Sequence, residues 1–94
     1  FTRLLVLCFG GHSANKNANG KLVIEQSGDG ANVDYATVVD VTDAFANTYA
    51  DGQGNNHNNG VAVSVEALFR YCRIIYYNGA NAQDTFRLTT AKKP

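Results

Sequence analysis

Asp34-Tyr35-Ala36-Thr37-Val38-Val39-Asp40-Val41-Thr42-Asp43-Ala44-Phe45-Ala46-Asn47-Thr48-Tyr49-Ala50 is the stretch on which the architecture turns. Tyr35, Val38, Val41, Phe45 and Tyr49 recur at spacings of three and four. That spacing predicts one apolar face of an amphipathic helix over 34–50. Asn32 or Asp34 can cap its start, and the carboxylate of Asp34 suits the positive end of the helix dipole. Asp51-Gly52 closes it. The three valines and Thr42 lower the intrinsic propensity, so packing has to hold the helix in place.

Strand signals lie on both sides. Leu4-Leu5-Val6-Leu7-Cys8-Phe9 is a short apolar run stopped by Gly10-Gly11, which reads as a buried strand. Lys21 to Gln26 reads as a second strand, ended by the turn Ser27-Gly28-Asp29-Gly30. From Val61 to Cys72 apolar and other residues alternate, a period of two that predicts a long strand with a bend or bulge, extended by Ile74, Ile75 and Tyr76. A helical turn over 64–70 is the competing reading. Thr85 to Thr90 returns as the hairpin partner of this strand. The expected fold class is therefore α+β. A mainly antiparallel sheet carries one main amphipathic helix on a face, in a single small domain over 1–94.

Cys8 and Cys72 are the only cysteines. Each lies in an apolar segment, which predicts one disulfide between two core strands and hence an oxidising compartment. Closing so long a loop would add about 4 kcal/mol on the chain-entropy account. The chain starts at Phe1 rather than Met, which fits maturation by cleavage. Secretion is the expected localisation.

Composition narrows the classes of function. Eight basic and eight acidic residues give a formal net charge of +0, so no broad field steers the chain to nucleic acid or to an anionic membrane. No apolar run approaches the roughly 18 residues of a membrane span. Asn15, Asn17, Asn19 and Asn55, Asn56, Asn58, Asn59 mark two polar loops.

The chemistry-bearing residues are few. His12 and His57 sit in those loops, with Asp29, Asp43, Asp51, Glu25 or Glu66 as conceivable partners, or simply as solvated side chains. Asp51-Gly52-Gln53-Gly54-Asn55 alternates oxygen ligands as calcium loops do, but it lacks a second carboxylate and the closing Glu. No metal, cofactor or catalytic residue is assigned, and no enzymatic activity is expected. Glu66 and His57 would be the pair to test for a small secreted ribonuclease. Arg70, Tyr71, Arg73, Tyr76, Tyr77, Phe86 and Arg87 interleave cations with aromatics on the expected hairpin. Exposed, they could stack bases or sugars, whereas in the core the arginines would snorkel outward.

Cys8-Phe9, Val39-Asp40-Val41-Thr42-Asp43-Ala44-Phe45 and the run from Gly60-Val61 through Cys72 to Ile74-Ile75-Tyr76 together resemble the later part of fungal killer-toxin-like secreted effector domains, the necrosis-inducing factors. The resemblance implies a small secreted α+β protein that acts on other cells without an enzymatic site. Its partner would be a cell-surface component or host protein of the target cell, with a second processed subunit as a further possibility. Arg73, Tyr76 and Tyr77 are the expected contact residues, because aromatics and arginine dominate binding hot spots. A carbohydrate- or nucleic-acid-binding module is the alternative.

Overall fold

The run Leu4–Phe9 lies at the centre of a strand that pairs on both sides. In the computed structural model, which describes residues 1–11, 20–41, 48–50, 52–54, 56–58, 60–79 and 85–94, β1 (Arg3–Gly11) lies between β6 (Val61–Glu66) and β8 (Thr85–Lys93). A second antiparallel sheet places β2 (Lys21–Ser27) between β3 (Tyr35–Asp40) and β7 (Tyr71–Tyr77). A short ladder joins β4 (Thr48–Ala50) to β5 (Asn56–Asn58), with Tyr49 opposite His57.

Alternation along each strand builds the core. Leu4, Val6 and Cys8 of β1 and Val65 of β6 cluster with Leu22 and Ile24 of β2 and with Val41. Val61, Val63, Val39, Ile74 and Tyr76 pack around them. The two sheets therefore face each other as a sandwich, each contributing every second residue. Across one side of the sandwich the Tyr76 ring of β7 meets the Phe86 ring of β8, with centroids 4.8 Å apart. Gly60 enters β6 so close to β1 that a Cβ there would lie 2.9 Å from the carbonyl oxygen of Cys8, so no larger residue fits without moving the strand.

The fold is all-β, not α+β, and the described residues contain no helix. The helix expected over 34–50 is replaced by β3 and β4, while 42–47, with Thr42, Asp43 and Phe45, lie outside the described residues. Its apolar spacing fits a strand equally well, because Thr37, Val39 and Val41 also recur at every second position. Cross-strand partners select that reading. Thr37 lies opposite Ile24 and Val39 opposite Leu22, and the Val41 amide donates to the Gly20 carbonyl at 3.0 Å. β-branched side chains suit this pleated, half-buried setting.

The long strand expected from 61 onward is two strands in different sheets, separated at Ala67–Arg70. The expected hairpin with 85–90 is not formed, since β7 pairs with β2 and β8 with β1.

The disulfide is also corrected: Cys8 and Cys72 are both free thiols. Cys8 is buried at the middle of the sandwich, whereas Cys72 is exposed in the other sheet opposite Gln26. Gln26 bonds to the Glu66 carbonyl, and Glu66 pairs with Arg3, five residues before Cys8 on β1. The cysteines are therefore offset by about 16 Å along the strands, far beyond the span of a disulfide. Without that bond the expectation of an oxidising compartment loses its physical basis.

Candidate functional site

β7 divides its side chains between two environments. Ile74 and Tyr76 turn into the core, and Tyr71, Arg73, Ile75 and Tyr77 alternate with them onto the outward face. The expected contact trio is thus split. Arg73 and Tyr77 are exposed on one face, while Tyr76 is half-buried against Phe86. The alternation within Tyr71–Tyr77 could have separated Tyr76 from the other two. The cation-and-aromatic set is divided as well, because Arg87 belongs to the other sheet, where its guanidinium lies 4.9 Å from the centre of the Phe9 ring.

Arg73 is anchored by Glu25, directly opposite on β2. Its Nε donates to Glu25 Oε1 at 2.9 Å, and its Nη2 donates to the same oxygen. The pair places both charges between the Tyr71 and Tyr77 ends of β7 and cancels them locally. In the next cross-strand row Val23 sits between Val38 and Ile75, which leaves it buried although it faces outward.

The turn from Ser27 to Asp34 builds one wall beside Tyr71. Asp29 Oδ1 accepts the backbone N–H groups of Ala31 and Asn32, both at 2.8 Å, and Asp29 Oδ2 accepts from the Asn32 side chain. Those bonds, led by the Asn32 amide, hold the Asp29 carboxyl well below the usual aspartate range although the group is open to solvent. Ser27 Oγ accepts from the Gly30 amide at 2.9 Å, and Asp34 Oδ2 accepts from the Gly28 amide at 2.8 Å. Gly30 has φ +80°, and a Cβ there would touch the Tyr71 ring at 3.5 Å. The Arg70 guanidinium lies 5.4 Å from the centre of that ring. Between turn and strand lies a recess of about 220 Å³ whose lining includes Tyr71, Arg73, Glu25, Asn32, Val33 and Cys72. An aromatic wall, a side-chain amide and a neutralised ion pair meet there. The sequence signals the turn residues and the aromatics, but not that β2 supplies Glu25 as the counter-charge.

The outward face of the β6-β1-β8 sheet offers a contrast. A recess of about 390 Å³ lies around Leu5 and Leu7, flanked by Ala62, Ser64, Thr89 and Ala91, and is almost entirely apolar. It has little with which to orient a polar ligand.

Of the candidate catalytic groups, the described residues show Glu66 but not its expected partner. Glu66 is exposed at the end of β6, and its contact with Gln26 runs through the backbone carbonyl. His57 lies on β5 with its side chain outside the described residues, as are His12, Asp43 and Asp51 altogether. Among the described residues no three His, Cys, Asp or Glu side chains converge as metal ligands would, and no helix there is long and apolar enough to cross a membrane. No protein-family model, curated protein or solved structure matches this chain.

Proposed function

We propose that this β-sandwich is a non-catalytic binding module that lays a neutral glycan along the outward face of β7. The observation that carries this reading is the Glu25–Arg73 pair, set between the exposed Tyr71 and Tyr77 and beside the recess at Asn32. Tyrosine offers an apolar ring face together with a polar tip, and the ion pair offers donors and acceptors to hydroxyl groups. Arg73 already has its carboxylate partner, which disfavours a phosphate-bearing polymer at this face. Tyr77 lies six residue steps along the strand from Tyr71, so the surface extends about 20 Å, suited to several linked sugars. Attachment to glycans on a cell surface is the form in which the expected cell-surface partner is retained, now with Arg73, Tyr77 and Tyr71 as contacts and without Tyr76.

A glycan array run beside affinity electrophoresis through neutral polysaccharide gels tests the proposal. Binding to neutral glycans is expected, with Tyr71→Ala and Tyr77→Ala each weakening it about tenfold, or about 1.4 kcal/mol. Stronger retention on sulfated or phosphorylated polymers would overturn it. So would growth inhibition of fungal cells with no glycan signal, which would favour a cell-directed toxin.

A further inference from the structure

Among the described residues β3 and β8 are edge strands of different sheets, and Asp34, just before β3, and Asp40 at its end match Arg87 and Lys93 of β8 with opposite charge at the same spacing. Asp34 and Asp40 lie six residues apart, as do Arg87 and Lys93. We propose that β8 of one copy pairs antiparallel with β3 of the next, so that the chain assembles head to tail into an open-ended filament.

One register satisfies both the charges and the faces. Setting Asp40 opposite Arg87 brings Val39 opposite Leu88, Thr37 opposite Thr90, Tyr35 opposite Lys92 and Asp34 opposite Lys93. Val39 and Leu88 both belong to the inward faces of their sheets, because Val39 lies opposite Leu22 and Leu88 opposite Cys8, both core residues. Asp40 and Arg87 both face outward, lying opposite exposed Lys21 and outward Phe9. The joint therefore continues the inner face of one sandwich into that of the next. It also covers part of Leu88, which is 40% exposed where the other inward residues of its cross-strand row, Cys8 and Val61, are buried or half-buried.

The same charges oppose the symmetric alternatives. Antiparallel pairing of β8 with β8 in matching alignment sets Arg87 against Lys93, and pairing of β3 with β3 sets Asp34 against Asp40. Each edge thus repels its own kind and attracts the other, so the contact is heterologous and does not close on itself. Backbone hydrogen bonds and the Val39–Leu88 contact supply the attraction, while the exposed ion pairs set direction and register. The outward face of β7 stays uncovered, so this assembly stands or falls separately from glycan binding.

Sedimentation velocity across a wide protein concentration range at low salt tests it. Wild-type chains are expected to form a concentration-dependent ladder of oligomers that weakens as salt rises. Arg87→Glu alone and Asp40→Arg alone should each weaken association about tenfold. Mixing the two variants should restore it, because the acid introduced on β8 of one copy then faces the base introduced on β3 of the other. Circular dichroism checks that both variants fold; if one does not, Arg87→Gln and Asp40→Asn take their place, each weakening assembly alone, and their mixture should recover only the one wild-type joint and stop at dimers. A wild-type monomer at every concentration would overturn the proposal. Assembly indifferent to both substitutions, or a reversed-charge mixture that stays apart, would do so too.

Discussion

The two thiols occupy contrasting surroundings on strands of different sheets. Burial raises the Cys8 thiol from 9.0 to about 11, and burial also raises Cys72, which is nevertheless exposed. Native protein at mildly alkaline pH should therefore give up one thiol to an alkylating reagent, Cys72, and a second only after denaturation. Mass spectrometry counts the adducts, and no adduct in denaturant would restore the disulfide. The raised Cys8 value also fixes a sign. The folded state holds its proton more tightly than the unfolded chain, so the stabilisation is complete below about pH 9 and is lost as pH rises through about 11. The loss amounts to about 3 kcal/mol. Cys8→Ala should flatten this alkaline limb in urea titrations. Both cysteines sit in apolar segments, and that much was legible. Their separation was not, because pairing distance depends on which sheet receives each strand.

Among the strands, β3 shows how a periodicity can serve two structures. A helix over 34–50 would turn Val38 and Val41 to the core together. The strand turns Val39 and Val41 inward and leaves Val38 61% exposed. Val38→Lys should therefore change stability by no more than about 0.5 kcal/mol, whereas Val39→Lys should cost about 3 kcal/mol by desolvating a charge beside Leu22. The helix would give a large cost at Val38, so urea unfolding of the two variants separates the alternatives. β1 and β2 were legible because each is short, apolar and stopped by turn residues. The same holds for the turn at Ser27–Gly30. β3 was not, since Thr37, Val38 and Val39 fit both periods and only the partner strand β2 selects between them. The alternation from Val61 correctly signalled extended chain but carried no mark of the switch between sheets. The candidate site inherits this pattern. Arg73 and Tyr77 were legible as exposed residues, while Tyr76 and the Glu25 partner required knowledge of the pairing.

The whole sandwich depends on polar contacts as well as apolar ones. Gln26, fully buried, donates from Nε2 to the Glu66 carbonyl at 2.9 Å and accepts at Oε1 from the Leu68 and Phe69 amides at 2.8 and 3.2 Å. One side chain thus ties the β3-β2-β7 sheet to the end of β6 and to the chain crossing between sheets. Gln26→Met would fill similar volume but strand three backbone groups. A loss of about 2–3 kcal/mol is expected, a large share of the roughly 5–15 kcal/mol that holds a domain folded. Urea unfolding measures it, and a change below about 0.5 kcal/mol would show that solvent replaces these bonds.

The pairing of β1 with β6 and β8 also orders the events of folding. Arg3 meets Glu66 on one side and Lys93 on the other, so the most apolar strand finds both partners late in the chain. The β2–β3 hairpin, closed by the Asp29 turn, needs only neighbouring residues. Loop-closure entropy favours that hairpin as the first native piece and makes the β6-β1-β8 sheet slow to form. On the ribosome, at about 5–20 residues per second, Leu4–Phe9 waits for seconds with its backbone unpaired. During that interval it is the segment most exposed to aggregation, and the one a chaperone would be expected to hold.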